Sequence, residues 1–144
     1  MKKRSGFTLV ELLIVMAVLA ILVGIAVPAF QGMREQGNVA RSQGDLRTIQ
    51  NALESYYGTN NAYPPAATYQ ADLLAATPKI LSSTKNDPFA AANTQYAYFT
   101  SPNSKYYVCF SIGKDVAATI TGVSDAGVVA PANKADDVWV SNGS

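Results

Sequence analysis

Few side chains of this chain can do chemistry, and one of them, Glu11, stands in an unusual place. It is the only charged residue in an apolar run of 24 residues, 7–30. A charge at the centre of a membrane helix costs about 2.5 to 3.5 kcal/mol, less near an interface, and such residues are usually functional. Either Glu11 reaches the lipid headgroups, or its carboxylate needs a cationic partner.

Most enzymatic chemistry lacks its usual residues here. Histidine is absent, which removes the common general base and zinc ligand. Cys109 is the only cysteine, so no intramolecular disulfide forms, and its apolar neighbours predict a buried thiol. The net charge is +1 without the basic stripe that binds phosphates. We therefore expect no enzyme, no catalytic residue and no nucleic-acid partner.

The run 7–30 is long enough to cross a membrane as one helix. At 1.5 Å per residue it spans about 36 Å, against a hydrocarbon thickness of about 30 Å. Lys2, Lys3 and Arg4 precede it, and such a flank stays cytoplasmic, which places the rest of the chain outside. The run is longer than the core of an ordinary secretory signal, whereas a plain membrane anchor is an open alternative.

The N-terminal stretch KKRSGFTLVELLIVMAVLAIL resembles the leader and first helix of type IV pilins and type II secretion pseudopilins. The resemblance implies that a prepilin peptidase removes residues 1–6 by cutting after Gly6. It also implies N-methylation of the new terminal residue, Phe7, and a requirement for Glu11 in filament assembly.

Cleavage after Gly6 would create a cationic amine on Phe7, four residues before Glu11. The two charges can pair within one helix or between neighbouring copies, and a pair between copies would set the register of assembly. Loss of the basic leader leaves the apolar helix to be covered by identical helices in a filament core.

Two residues predict a local distortion of this helix. Pro28 lacks a backbone donor and matches a proline common in the family, and Gly24 costs about 1 kcal/mol relative to alanine. A kink or melted turn is one interpretation. Simple tolerance in a membrane helix is the other.

The rest of the chain predicts an α+β fold that is pilin-like, a long N-terminal helix packed on a small antiparallel sheet. Residues 31–57 continue the helix as an amphipathic segment, and the globular segment is 58–144. Within it we expect a short helix and three strands. They fall at residues 71–77 for the helix and 95–100, 105–113 and 138–140 for the strands.

The outer segment more weakly resembles the major pseudopilin of type II secretion systems, in NNAYP, NDPF, FSIGKD and ADDVWVSN. That resemblance implies a calcium ion held by Asp115, Asp136 and Asp137 with backbone carbonyls, which are ligands that Ca²⁺ prefers. The intervening segment 116–134 is longer and less acidic than the family's loop, and within it Asp125 is an extra ligand or a turn residue. Solvated turn carboxylates are the alternative.

Together the resemblances imply a structural filament subunit of the bacterial inner membrane, single-pass, with a periplasmic domain. A type II secretion pseudopilus, which drives export of folded proteins across the outer membrane, is favoured over a true pilus for adhesion, twitching or DNA uptake, because many pilins use a disulfide that Cys109 alone cannot form. The implied partners are identical copies, the prepilin peptidase, the inner-membrane assembly platform and minor pseudopilins. A membrane-anchored binding or enzymatic domain is the alternative from another class.

Overall fold

The computed structural model describes residues 7–130 and 137–143 of the 144-residue chain. It divides into a first unit, Met1–Gln36, and a second unit, Gly37–Ser144. The elements are α1 (Leu9–Asn60), α2 (Tyr69–Ala75), β1 (Ala97–Thr100), β2 (Tyr107–Ser111), β3 (Gly122–Val123), β4 (Val129–Ala130) and β5 (Val138–Ser141). The predicted α+β fold is confirmed.

α1 buries one face within the second unit because its apolar residues recur at helical spacing, as the sequence predicts. The buried side chains are Ser42, Leu46, Ile49, Ala52 and Leu53. They pack against the tyrosine-rich face of the sheet, together with the short helix α2.

The end of α1 was predicted near Tyr57, and that boundary is wrong by one turn. The helix continues through Gly58 to Asn60. Asn61 then adopts a φ of 55°, and its N–H donates to the Tyr57 carbonyl at 2.8 Å. Asparagine tolerates this left-handed conformation, so it ends the helix in the place expected for glycine.

β1, β2 and β5 form a three-stranded antiparallel sheet with β2 at its centre. Cys109 of β2 lies opposite Tyr98 on one side and Val140 on the other. The three predicted strands are confirmed in type and order, although β1 and β2 are shorter than predicted and β5 is one residue longer. β2 is buried along its whole length, because its alternate side chains pack in a hydrophobic cluster on each face of the sheet.

The sheet carries a core on each face, since successive side chains point to opposite sides. The side chains of Tyr98, Tyr107 and Cys109 pack against α1. On the other face Val108 and Phe110 pack with residues of the segment after β2, which contains the hairpin of β3 and β4. This hairpin was not predicted. The short helix was predicted at 71–77, and α2 begins and ends two residues earlier.

Candidate functional site

Glu11 lies in the first turn of α1, where it and Thr8 cap the helix reciprocally. The N–H and the hydroxyl of Thr8 donate to Glu11 Oε2 at 2.9 and 2.8 Å, and the N–H of Glu11 donates to Thr8 Oγ1 at 3.2 Å. Such a capping box satisfies backbone donors that have no partner within the helix. The carboxylate therefore has a local structural role in addition to any role in assembly.

The cap leaves part of the carboxylate unused. Within the described residues, Oε1 of Glu11 accepts no hydrogen bond, because all contacts with Thr8 go to Oε2. The side chain is exposed, and it lies at the positive end of the helix dipole, where a negative charge is stabilised.

An exposed apolar surface surrounds this cap and covers the helical part of the first unit. The large apolar side chains of residues 7–33 are exposed by between 49% at Leu19 and 91% at Phe7. Among the residues that the structure describes, α1 is the one helix whose length and composition suffice to cross a membrane. Because no part of this stretch is buried within the chain, it differs from the core helix of a globular protein.

The two residues predicted to distort the helix lie inside it. α1 is helical through both Gly24 and Pro28. A kink or melted turn at these positions stays a prediction. Gly6, the predicted cleavage position, lies outside the described residues.

Asp137 is the one predicted calcium ligand that the structure places in a buried environment. Its Oδ2 accepts hydrogen bonds from the N–H and hydroxyl of Thr119 and, at 3.3 Å, from the N–H of Ile120. Its Oδ1 is also buried and has no hydrogen-bond partner among the described residues. A buried carboxylate oxygen without a partner is costly, so this atom suits a cation or an ordered donor.

The other acidic residues are arranged differently. Asp115 is exposed, and its Oδ1 accepts the N–H of Ala117 at 3.0 Å. Asp136 lies outside the described residues. Asp125 accepts the N–H of Asn103 at 2.8 Å and so ties the β3–β4 turn to the β1–β2 turn. Within residues 7–130 and 137–143, no three metal-binding side chains form a cluster.

Asp87, in the NDPF motif, is a buried carboxylate whose role the sequence pattern did not predict. It accepts hydrogen bonds from the Ser111 hydroxyl at 2.7 Å and from the N–H groups of Ile112 and Phe89, both at 2.9 Å. It therefore fixes the 86–95 loop to the end of β2. Its role is structural, and the N-D-P sequence, typical of a tight turn, is the signal that could have indicated it.

The capped apolar helix lies largely within a region similar to known proteins. Residues 1–27 match the prokaryotic N-terminal methylation motif. That match includes Gly6, Phe7, Thr8 and Glu11.

The chain is also similar to three proteins named type II secretion system core protein G. It is 36% identical to the protein of Aeromonas hydrophila over 63 residues, 38% to that of Pseudomonas aeruginosa over 63 residues and 36% to that of Vibrio cholerae over 64 residues. In each case the match covers 44% of this chain and 44% of the relative. The chain thus matches less than half the length of these relatives.

A fimbrial protein of Pseudomonas aeruginosa is 40% identical over 55 residues, which cover 38% of this chain and 36% of that protein. No solved structure matches the chain significantly. The resemblance to type IV pilin-like proteins, and in particular to the major pseudopilin of type II secretion, is thereby confirmed.

Proposed function

We propose that this protein is a structural subunit of a type IV pilus-like filament, the type II secretion pseudopilus, which drives export of folded proteins across the outer membrane. The observation that carries the proposal is the exposed apolar helix that begins at the Thr8–Glu11 cap, within a methylation motif. The similarity to core protein G supports the choice of a secretion filament.

The exposed helix needs an apolar environment both before and after assembly. Burial of apolar surface contributes about 25 cal/mol per Å² removed from water. Lipid supplies this environment to the membrane-anchored precursor, and a bundle of identical helices supplies it in a filament. A chain that is transferred from one to the other keeps its apolar side chains covered throughout.

Processing by a prepilin peptidase is the second part of the proposal. The amide that donates to Glu11 Oε2 belongs to Thr8, the residue directly after Phe7. The capping box therefore holds the carboxylate beside the position where cleavage after Gly6 would create an amine. Oε1, which the cap leaves unused, can accept that cation in the same chain or a neighbouring one.

The remaining roles follow from this assignment. The chain crosses the inner membrane once and exposes its outer domain to the periplasm. It assembles with copies of itself, with minor pseudopilins and on an inner-membrane platform, and it has no enzymatic activity. A true pilin is the second candidate, supported by the similarity to a fimbrial protein. The pseudopilin is favoured because many pilins have an intramolecular disulfide, which Cys109, the only cysteine, cannot form.

Mass spectrometry of the native N-terminus tests the filament assignment. We expect a chain that begins with N-methylated Phe7. An intact Met1 would instead identify a membrane-anchored domain of another class and would overturn the proposal. Deletion of the gene then separates the two filaments, because a pseudopilin is needed for secretion of folded proteins and a pilin for twitching or adhesion.

We also propose a calcium site that includes Asp137, Asp115 and Asp136. The supporting observation is the buried, unpaired Oδ1 of Asp137. Calcium prefers six to eight oxygen ligands from carboxylates and carbonyls, which these loops can supply. Bound calcium would neutralise this carboxylate and hold the segment before β5 to the segment after β2.

Thermal melting of the full chain in detergent tests this site. The melting temperature should be higher in the presence of calcium than in the presence of a chelator, because a ligand that binds only the folded state stabilises it. Asp137→Asn should abolish the increase, whereas Asp125→Asn, whose carboxylate holds Asn103, should retain it. An unchanged melting temperature for the wild-type chain with calcium would remove the site.

A further inference from the structure

A cleft of about 310 Å³ lies in the second unit. Tyr56, Thr59 and Asn60 of α1 line one side of it. α2 and the turn that follows it line the other side, with Asp72 and Ala75 among the lining residues. Its lining residues include neither Glu11 nor Asp137.

One carboxylate and the C-terminal ends of two helices line the cleft. Asn60 is the last residue of α1 and Ala75 the last of α2, and the C-terminal end of a helix carries a partial negative charge. At the end of α1 this charge is partly offset, because the Tyr56 carbonyl accepts the side-chain amide of Asn60 at 3.0 Å. Neither Leu9–Asn60 nor Tyr69–Ala75 carries a basic residue in its last turn. Asp72 adds a carboxylate, of which Oδ2 accepts the Thr68 hydroxyl at 2.8 Å.

Apart from Asp72, the walls of the cleft combine polar and apolar side chains, the polar ones being Ser55, Thr59, Asn60 and Thr77. Ala76, Pro78 and Ile80 provide an aliphatic surface, and the side chain of Tyr56 provides an aromatic one. An aromatic face attracts cations, and an aliphatic surface suits the methylene stem of a long basic side chain. Lys79 lies on an adjoining groove with Thr48 and does not line this cleft.

We propose that the cleft binds a guanidinium or ammonium group carried on an alkyl stem. The cationic head pairs with Asp72 and lies against Tyr56, and the stem lies along the aliphatic wall. Arginine matches the site best, because its planar fork donates to a carboxylate and stacks on an aromatic ring at once. The binding chemistry does not depend on the proposed function.

The direct test is an NMR titration of the full chain in detergent micelles with N-acetyl-arginine amide. N-acetyl-citrulline amide, of nearly the same shape but neutral, is the control ligand. We expect saturable shifts of the Thr59, Asn60 and Ala75 amides with the arginine compound alone. Equal binding of the citrulline compound, or no saturable shift, overturns the proposal.

Two variants test the assigned contacts. Asp72→Asn keeps an oxygen acceptor for Thr68 and should weaken binding at least fivefold, roughly the loss of a charge-assisted contact. Tyr56→Leu keeps apolar bulk and should weaken it by a smaller factor. Asp125→Asn, which neutralises an exposed carboxylate outside the cleft, is the matched control and should bind like the wild type. Wild-type affinity in Asp72→Asn contradicts the assignment.

A second arm identifies the natural source of the cation. If a basic side chain of a neighbouring copy occupies the cleft, assembled filaments should bind much less of the arginine compound than the solubilised chain. Equal binding by both would point to a free solute instead. This arm rests on the proposed filament. A chain that forms no filament would refute the proposed function, while the titration of the solubilised chain would still decide the cleft.

Discussion

Thr8 and Glu11 are joined by three hydrogen bonds of 2.8 to 3.2 Å at the start of the apolar helix. One carboxylate thus caps the helix through Oε2 and leaves Oε1 for another partner. The two roles differ in what they require. The cap requires an acceptor oxygen, which an amide also provides, whereas pairing with an amine requires the negative charge.

Substitutions at these two residues separate the roles. Glu11→Gln preserves the capping box and removes the charge, and we expect it to lower filament incorporation by about tenfold or more, since breaking a desolvated ion pair costs well above 1.4 kcal/mol. Thr8→Val keeps the charge and removes the two cap hydrogen bonds of the hydroxyl, at a cost of about 1 kcal/mol, and should lower incorporation less. The measurement is the ratio of variant to wild-type subunits in sheared filaments from co-expressing cells.

If Thr8→Val lowered incorporation more than Glu11→Gln did, the effect of Glu11 would be assigned to the cap alone. Immunoblots of the membrane fraction control for differences in precursor level. Normal incorporation of Glu11→Gln would contradict the charge-pair mechanism.

The cap could have been predicted from the sequence, because Thr-x-x-Glu before an apolar run is the signature of a capping box. From the sequence, Glu11 was identified by its charge, and Thr8 was not named as its partner. The sheet was also predictable, since its strands are aromatic and β-branched runs around a clear turn. By contrast, β3 and β4 have two residues each, too few for a period to emerge.

The environment of Asp137 was beyond sequence reasoning for a different reason. Its hydrogen-bond partner Thr119 is 18 residues away and reaches it through tertiary structure. Sequence identified the carboxylate as a candidate ligand. That one of its oxygens is paired and the other buried without a partner depends on packing.

A glycine substitution tests the packing of the β3–β4 turn. Gly127 has a φ of +81°, and a Cβ there would lie 2.8 Å from ring atoms of Tyr106. We expect Gly127→Ala to lower the free energy of unfolding by about 1 to 3 kcal/mol, from backbone strain and overpacking. Urea denaturation of the full chain in detergent measures the change.

Gly122→Ala is the matched control, because a Cβ at Gly122 meets nothing within 4 Å. It should change the free energy of unfolding by less than about 0.5 kcal/mol. Equal effects of the two substitutions would show that the turn does not approach Tyr106 as described.

The buried tyrosines make the second unit sensitive to high pH. Burial raises the pKa of Tyr69, Tyr98 and Tyr107 above the ordinary value, near 10. Because the pKa is higher in the folded state, the contribution of these protonated tyrosines to the free energy of unfolding is complete below about pH 10. It is lost as the pH rises further. We expect the folded chain to unfold cooperatively as the pH rises above about 10.

Tyrosinate absorbance at 295 nm and near-ultraviolet circular dichroism, followed together, check this expectation. The absorbance of the buried tyrosines should rise only as the dichroism of the folded state disappears. The chain in urea provides the reference, with titration near the ordinary pKa. Ionisation of all tyrosines without loss of the folded signal would contradict their burial.

The thiol of Cys109 should be unreactive in the folded protein. Its side chain is fully buried in the core between the sheet and α1, and burial raises its pKa, so that both access and thiolate are lacking. We expect labelling by a thiol reagent at neutral pH to require unfolding of the chain. When opening and closing are fast relative to labelling, Gly127→Ala should accelerate labelling by the factor by which it raises the unfolded population. A chain with Cys109→Ala and Ser83→Cys, which carries an exposed thiol instead, should be labelled within the mixing time and serves as the control. Equally rapid labelling of native Cys109 would place this thiol at the surface and contradict its place in the core.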